Sequence, residues 1–496
     1  MNDSLNGFAI NFIAFVGIAF LTLFVIAAVV ATVLYQIDKH QTAQTIRRNY
    51  PLIGRFRYLF EHIGEFFRQY FFAMDREEMP FNRAQRSWVY RAAKNIDSTI
   101  AFGSSRDLRI PGTYYFLNCP FPTLKEDAVG TEPLRIGPYC RTPYDAPSFF
   151  NISGMSYGAL SKPAVQALAQ GAKKAGCWMN TGEGGVSPFH LESGCDIVYQ
   201  IGTAKYGLRD DEGKFTDEKL KEKGDIPQVK MFEIKLSQGA KPGKGGILPG
   251  EKVTAEIAAV RGIPMGQDSL SPNRHPDIAS VDELLDMVER VRRVTGKPCG
   301  FKMVLGDAEW LDSFFEAIKA RGDESAPDFI TIDSSDGGTG AAPMPLMDSV
   351  GLPLRESLPI LVNKLMSHEL RGRIRVIASG KLINPTEVGA ALCMGADFIV
   401  TGRGFMFALG CIQALQCNKN TCPTGITTHD PDLQRGLVPE VKADRVAYYH
   451  QHLVHEVAMI AHSCGVTEPR KLKRKHCAIV IEGSRSIPLN ILYPEY

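Results

Sequence analysis

Residues 328–340 read DFITIDSSDGGTG, an apolar run that ends in a glycine-rich turn. The pattern returns downstream as RVIASG (375–380) and DFIVTGRG (397–404), and the helical segment PTEVGAALCMG (385–395) separates these two runs. Strands that alternate with helices in this way predict a parallel sheet with crossover helices. This part of the chain therefore indicates an α/β protein.

Working outward, five more apolar runs precede these three and alternate with helical patterns. They are FFNISGM (149–155), CWMNTG (177–182), DIVYQI (196–201), MFEIKL (231–236) and CGFKMVLG (299–306). Eight strands favour a closed (β/α)8 barrel over an open doubly wound sheet. In such barrels the chemistry lies at the carboxyl ends of the strands, so we expect the functional site there.

The composition is that of an ordinary folded protein. Of the 496 residues, 44% are hydrophobic and 22% are charged. These values exclude a disordered chain, a collagen-like chain and a multi-span transporter. The 56 Lys and Arg residues nearly balance the 54 Asp and Glu residues. A net charge of +2 gives no electrostatic reason to expect a nucleic-acid partner.

The N-terminal segment predicts a membrane anchor. The run from Phe8 to Tyr35 is apolar, and no charged residue occurs between Asp3 and Asp38. It is too long for the core of a cleaved signal peptide, and no Lys or Arg precedes it. We therefore expect an uncleaved single span. The basic residues follow the span, which places the N-terminus outside and the catalytic domain in the cytoplasm; they are Lys39, Arg47, Arg48, Arg55 and Arg57.

Residues 58–74, YLFEHIGEFFRQYFFAM, are rich in Phe and Tyr. They predict an amphipathic helix that lies on the membrane surface or packs on the main domain, and the sequence does not choose between the two. The predicted organisation is an anchor (1–40), a juxtamembrane helical segment (41–95), a barrel-capping segment (96–148), the barrel with a cysteine loop (149–432) and a C-terminal helical extension (433–496).

Glycine-rich turns follow the last three predicted strands: 336–340, 379–381 and 401–404. Glycine allows the backbone to approach an anion closely, and barrels often bind phosphate after their last strands. With Arg403 beside the last turn, the pattern predicts a cofactor that carries phosphate.

Cys411, Cys417 and Cys422 follow the last strand with the spacing C-x5-C-x4-C, and a proline comes next. Thiolates gathered in one loop indicate an iron–sulfur cluster or zinc. Zinc needs a fourth ligand, for which His429 is the only nearby candidate. Three thiolates fit a [3Fe–4S] cluster, and three buried free cysteines are the remaining alternative.

From about Phe149 to Asp432 the chain resembles the FMN-binding synthase domain of glutamate synthases. The matching motifs are GMSYGALS, NTGEGG, EIKLSQGAKPGKGG-x-LPG, DGGTGAAP and ALGC-x5-C-x4-CP-x-G. The likeness is strongest to stand-alone synthase-domain proteins with an N-terminal anchor. It implies a (β/α)8 barrel that carries FMN and a [3Fe–4S] cluster.

The resemblance also implies roles for individual residues. Near the flavin ring it implies Met155, Ser156 and Lys235. Around the phosphate it implies Gly337, Gly338, Gly380, Gly402 and Arg403. For the cluster it implies Cys411, Cys417 and Cys422, and for the substrate and its proton transfers Glu183, Lys241 and Arg261. The implied reaction joins 2-oxoglutarate and ammonia to an imine and reduces the imine to L-glutamate.

Three departures from the family pattern leave the substrate and partners open. Ile247 stands where the family has a Gln that helps to hold the keto acid. The chain enters its apolar run without a glutaminase domain, so we expect free ammonia, a separate glutaminase subunit or another amine such as methylamine. It also lacks the G-x-G-x-x-G context of a nicotinamide site, so we expect a protein electron donor such as a ferredoxin or a reductase subunit.

Two other functions compete with this one: a different flavin enzyme and a protein that only transfers electrons. A flavin barrel that oxidises 2-hydroxy acids needs a His after the sixth strand, and SSDGGTGAAP contains none. A membrane-tethered electron-transfer flavoprotein is the second rival, which Ile247 favours and the charged residues Glu183, Lys241 and Arg261 oppose.

Overall fold

The computed structural model describes residues 2–210 and 212–495, which form two compact units, residues 1–84 and 85–496. In the first unit the long helix Asn2–His40 is followed by Thr45–Asn49, Gly54–Phe67 and a π-helical turn, Arg68–Phe72. Within the described residues, Ile10–His40 is the one helix long and apolar enough to cross a membrane.

The second unit is built on eight parallel strands, which we number in chain order. They are β1 (Phe150–Ile152), β2 (Met179–Asn180), β3 (Ile197–Ile201), β4 (Val229–Lys235), β5 (Cys299–Met303), β6 (Phe329–Asp333), β7 (Arg375–Ser379) and β8 (Phe398–Thr401).

Neighbouring strands pair in sequence order, and β8 pairs with β1, so that the sheet closes. Seven of the eight strands lie inside the runs predicted from the sequence, and β4 begins two residues before its run; the predicted (β/α)8 barrel is confirmed. Most of them are buried along their whole length, as expected when helices cover the outside of a parallel barrel.

Helices connect the strands and cover the barrel. They are Arg83–Ala93, Lys162–Ala175, Pro188–Leu191, Asp217–Gly224, Ala255–Arg261, Val281–Thr295, Trp310–Arg321, Met344–Ser349, Leu354–Ser367, Pro385–Cys393, Arg403–Leu409, Pro431–Gln434, Pro439–Ser463 and Leu489–Leu492. Local sequence explains their ends. The Ser161 hydroxyl accepts from the Ala164 amide at one start, and left-handed Gly176 stops the same helix.

The lower half of the barrel is apolar and the upper half is polar. A hairpin of Leu134–Ile136 and Tyr144–Ala146 closes the amino end. Its side chains join the barrel core, which includes Trp178, Phe329 and Phe398. Above this core, the Glu233 carboxylate accepts hydrogen bonds from Asn180, Gln200 and Thr331 at 2.6–2.9 Å. The polar layer forms the floor of the cavity described next.

Outside the barrel, Tyr114–Phe116, Cys477–Val480 and Ser486–Pro488 form a small antiparallel sheet. The long helix Pro439–Ser463 packs on Lys162–Ala175. In that helix, His450 Nε2 lies 3.0 Å from the Phe150 carbonyl oxygen and 2.9 Å from Ser148 Oγ. The C-terminal extension, which the sequence predicts to be helical, thus packs its helix on the barrel.

Candidate active site

A cavity of about 190 Å3 opens at the carboxyl end of the barrel, and every strand contributes to it. The predicted site residues that line it are Met155, Ser156, Glu183, Lys235, Lys241, Arg261, Gly338, Gly380, Gly402, Arg403 and Cys417. Gly337, Cys411 and Cys422 are not among the residues that line it. Strand ends from Ile152 to Thr401 thus meet around one space, as the barrel fold requires.

One side of the cavity is formed by glycines after β6, β7 and β8, and we name Gly338, Gly380 and Gly402 the glycine wall. Gly380 has a φ of +127°, which strains other residues. A Cβ atom there would lie 2.3 Å from Ser334 Cβ. The Ser334 amide also donates to the Ser379 carbonyl at 2.9 Å. The ends of β6 and β7 can therefore approach each other only with glycine at 380.

Two cations accompany the glycine wall. Lys381 Nζ lies 3.0 Å from Asp336 Oδ2, and Arg403 Nη2 donates to the Thr339 carbonyl. Burial would raise the pKa of Asp336, but hydrogen bonds from Ser334 and Lys381 lower it overall. Exposed backbone between glycines, flanked by Lys and Arg, provides the donors that a phosphate group needs. This wall fits the phosphate end of FMN.

The opposite side carries Glu183, Lys235, Lys241 and Arg261, which we name the charged wall. Glu183 Oε2 lies 3.0 Å from Lys235 Nζ. Lys235 also donates to the Gln238 side-chain oxygen, and the Gln238 amide donates to Thr339 Oγ1 at 3.0 Å. This chain of contacts connects the charged wall to the turn after β6.

The loop after β4 passes closely over Glu183. A Cβ atom at Gly246 would lie 2.4 Å from Glu183 Oε1. A side chain there would displace the Glu183 carboxylate, which the loop backbone covers. Of the glycines in the KPGKGG segment, Gly246 packs on the acidic group, whereas Gly245 packs on the Ser271 carbonyl and Gly243 has open space around it.

The charged wall is electrostatically coupled. Burial would raise the pKa of Glu183, but Lys235, Lys241 and Arg261 lower it to about 2. Burial and neighbouring Lys235 lower the pKa of Lys241 to about 8. Burial also lowers the pKa of Lys235, although Glu183 partly offsets this effect. At neutral pH the wall therefore presents an ionised Glu183 next to cations, one of which titrates just above neutrality.

Arg261 is buried at the end of the helix Ala255–Arg261. Its Nη1 donates to Ser269 Oγ at 3.1 Å, and its Nη2 donates to the Tyr157 carbonyl at 3.3 Å. Within the described part of the chain, its Nε has no hydrogen-bond partner although the atom is buried. Burial lowers the pKa of Arg261. A buried guanidinium with one unmatched donor suits an anionic ligand.

Ile247 lines the cavity beside the charged wall and is 45% exposed. It pairs with Leu270 in the two-stranded ribbon of Ile247–Leu248 and Ser269–Leu270. The side chain therefore presents apolar surface at the point where the resemblance implies a hydrogen-bonding amide.

The cysteine loop begins at the end of the helix Arg403–Leu409. Cys411 and Cys422 are buried, and Cys417 borders the cavity, where Arg403 Nη1 lies 3.8 Å from its sulfur. Burial raises the pKa of Cys411 to about 11. Tyr90 fixes the loop, since its hydroxyl donates to the Cys411 carbonyl at 2.6 Å.

The thiols supply the correct donor type for an iron–sulfur cluster. In residues 2–210 and 212–495, however, no three His, Cys, Asp or Glu side chains form a group arranged to hold a metal ion. The proposed zinc ligand His429 instead has its Nε2 2.8 Å from the Gly158 carbonyl oxygen.

Sequence reasoning missed several polar residues that line the cavity: Gln200, Gln238, Lys252, Lys302 and Lys381. Lys302 and Gln200 had a usable signal, because each interrupts an otherwise apolar strand. Lys252 had none. Its buried ammonium donates to the carbonyls of Ala159, Cys417 and Thr427 at 2.8–3.2 Å, and the first of these is far in sequence from the other two.

Residues 137–467 match the conserved region in glutamate synthase. The glutamate synthase large subunit-like protein YerD of Bacillus subtilis (strain 168) is 38% identical over 502 residues, which cover 93% of this chain and 95% of that protein. The archaeal glutamate synthase (NADPH) of Methanocaldococcus jannaschii is 36% identical over 324 residues, or 65% of this chain and 60% of that enzyme. A solved mandelate oxidase with benzoyl-formic acid shares 15% identity and a TM-score of 0.43, over 80% of this chain and 98% of that one.

By fold the protein is thus a closed (β/α)8 barrel, and the relatives that it matches are glutamate synthases or glutamate synthase-like proteins. The chain belongs to the glutamate synthase family and contains its FMN-binding synthase domain.

Proposed function

We propose that this protein reduces the imine formed from 2-oxoglutarate and ammonia to L-glutamate, with electrons from a protein donor. The observation that carries the proposal is the single cavity in which the charged wall faces the glycine wall. One wall suits a flavin phosphate, and the other suits a dicarboxylate. A pure electron carrier has no use for a buried Arg261 with an unmatched donor.

FMN, when bound, would supply a hydride, which carries the two electrons that reduction of the imine needs. Gly338, Gly380, Gly402 and Arg403 would hold its phosphate, together with Gly337. Met155, Ser156 and Lys235 would lie at its ring. The Lys235 ammonium, buried next to Glu183, would supply positive charge near the ring.

The protein groups would then bind and orient the keto acid. Arg261 would bind one carboxylate, and Lys241 would bind the other or the keto oxygen. Glu183 is ionised at neutral pH and lies near both cations, so it can accept a proton during imine formation and return it. Close packing of the Gly246 backbone would restrict water around this carboxylate.

We infer further that Cys411, Cys417 and Cys422 hold a [3Fe–4S] cluster, which would pass electrons singly. Cys417 supports this, because it borders the same cavity as the glycine wall. Iron and acid-labile sulfide are measured in wild type and in Cys417→Ser, with buried Cys195→Ser as the matched control. We expect iron to fall in Cys417→Ser only. Zinc in place of iron, or no metal in the wild type, would contradict the cluster.

The anchor and its orientation complete the proposal. The helix Ile10–His40 would cross the membrane once, with the barrel in the cytoplasm. Membranes washed with carbonate should retain the protein, and protease added to intact cells should leave the barrel intact. Release by carbonate would contradict a spanning helix.

The main test is anaerobic reoxidation of the reduced flavin. Photoreduced protein in detergent is mixed with 2-oxoglutarate and an ammonium salt, and each compound alone is the control. We expect flavin absorbance to return only with both, and glutamate to form. A flavin that stays reduced would reject this substrate pair.

Ile247 favours one second candidate, a related synthase that uses another keto acid or an amine such as methylamine to form N-methylglutamate. The apolar side chain at the cavity wall tolerates a methyl group better than an amide would. The same assay with methylamine tests this candidate. If the flavin is reoxidised with neither ammonia nor methylamine, the protein is better interpreted as an electron-transfer flavoprotein. Its partner would then be a ferredoxin or a reductase subunit.

A further inference from the structure

The helix Gly54–Phe67 in the N-terminal unit has two different faces. Apolar residues recur at helical spacing and share one side. Nearly all are exposed, and we name them the aromatic face: Phe56, Leu59, Phe60, Ile63, Phe66 and Phe67. Phe60 is 63% exposed. Large rings exposed together on one side of a helix indicate a surface that is covered in the working protein.

The opposite side of the helix is charged. It carries Arg57, Glu61, Glu65 and Arg68, and Arg57 Nη1 lies 3.0 Å from Glu61 Oε2. Apart from Gly54, no residue of this helix is buried. A helix with one apolar and one ionic side is suited to a boundary between hydrocarbon and water.

Residues 41–53, which we name the elbow, connect the end of the long helix Asn2–His40 to the start of this helix. Asp38, one turn from that end, accepts from Arg47 Nη2 at 2.6 Å and from Arg55 Nε at 2.7 Å. Its carboxylate also accepts from the Leu52 amide at 3.1 Å. A Cβ atom at Gly54 would lie 2.7 Å from the Ile46 carbonyl oxygen. These contacts hold the turn in one shape.

The elbow sets the depth of the aromatic face in a bilayer. The long helix is apolar up to residue 35, and its charged end begins at Asp38. Charged ends of spanning helices lie at the level of the lipid head groups. The helix Gly54–Phe67 begins next to that end and is therefore held at the same level.

We infer that the aromatic face is buried in the head-group and acyl boundary of the bilayer, so that the protein contacts lipid through a surface helix as well as through its span. This inference rests on the proposed membrane anchoring. Aromatic residues are enriched at this depth of membrane proteins. The continuity with the span favours lipid over a second protein as the occupant.

The test uses the full chain in vesicles of phosphatidylcholine and phosphatidylglycerol, with and without bromine on the acyl chains near the head group. Phe60→Trp reports the aromatic face, and Glu65→Trp is the matched control on the charged face. Wild-type emission from Trp88, Trp178 and Trp310 is subtracted. Val25→Trp, in the middle of the span, reports the anchor independently in vesicles that carry bromine near the ends of the acyl chains. Flavin absorbance confirms that each variant is folded.

We expect bromine to remove most of the emission that Phe60→Trp adds and little of that from Glu65→Trp. Equal quenching of the two variants, or none, while Val25→Trp is quenched, would overturn the surface helix and leave the anchor intact. No quenching of Val25→Trp would overturn the anchor. Blue-shifted emission from Phe60→Trp without quenching would show that a protein, not lipid, covers the face, and would also overturn the inference.

Discussion

The two walls of the cavity are built differently. The glycine wall consists of backbone at the ends of three consecutive strands. Its shape depends on the absence of side chains, because Gly380 lies so close to Ser334 that a Cβ atom would not fit. The charged wall consists of side chains, and only Lys235 among its four members lies in a strand; Glu183 is in the turn after β2. Lys241 is in the loop after β4, and Arg261 is at the end of a helix. Changes in the first wall should affect cofactor retention, and changes in the second should affect substrate binding and proton transfer.

The largest effect on the charged wall is expected from Arg261→Ala. The buried guanidinium bonds Ser269 and Tyr157, and in the proposed function it binds a carboxylate. Loss of such a partner costs about 3 kcal/mol, or roughly a 150-fold fall in kcat/KM for the keto acid. The flavin content should remain near that of the wild type, and steady-state kinetics with flavin absorbance checks both.

Arg209→Ala is the matched control for this change. Arg209 and Arg261 both stack on the Tyr206 ring, at 5.1 and 5.2 Å, but Arg209 does not line the cavity. It should retain activity. An equal loss in both variants would mean that Arg261 acts through packing on Tyr206 rather than through substrate.

Gly380→Ala tests the glycine wall. A side chain at a φ of +127°, 2.3 Å from Ser334 Cβ, must separate the ends of β6 and β7. We expect destabilisation of about 2 kcal/mol and loss of bound flavin. Thermal unfolding and flavin release during gel filtration measure the two effects.

Gly372→Ala is the control, because Gly372 precedes the same strand at the other end of the barrel and has open space around it. It should retain both stability and flavin. If Gly380→Ala kept its flavin while losing only substrate binding, the assignment of the two walls would be reversed.

The pH dependence of substrate binding should come from Lys241, whose pKa is lowered to about 8. Below this pH the ammonium is protonated and attracts a carboxylate, and the attraction is lost as the pH rises through about 8. Binding should weaken by about 1 kcal/mol, or roughly fivefold, over this range. Glu183, with a pKa near 2, stays ionised throughout and adds no slope.

Lys241→Gln should bind more weakly at low pH and give a flat profile in titrations followed by flavin absorbance. Lys244→Gln, an exposed neighbour in the same loop that does not line the cavity, should keep the slope. Its midpoint should move to slightly higher pH, because the Lys244 charge contributes to the lowered pKa of Lys241. A slope that survived in Lys241→Gln would assign the titration to another group.

These differences also explain what the sequence could predict. Strand order fixes where parallel strands end, so eight apolar runs and their turns predicted the barrel and the glycine wall directly. Lys241, Arg261 and Ile247 depend on the path of a long loop, which periodicity does not specify, and only the resemblance indicated them. Lys252 bonds carbonyls of two segments that are distant in sequence, at Ala159 and in the cysteine loop, and no local pattern reports such a contact.

The smallest effect is expected from Ile247→Gln, which restores the amide that the resemblance implies. Ile247 is half-exposed at the cavity, so the change removes little apolar contact and adds a donor next to the charged wall. One added hydrogen bond contributes about 1 kcal/mol, so the KM for 2-oxoglutarate should fall roughly fivefold.

Leu270→Gln is the matched control, because Leu270 pairs with Ile247 across the ribbon but does not line the cavity. A fall in KM with ammonia and a rise with methylamine in Ile247→Gln would identify position 247 as the residue that selects the substrate. If neither KM changed, Ile247 would no longer be a reason to expect a substrate pair other than 2-oxoglutarate and ammonia.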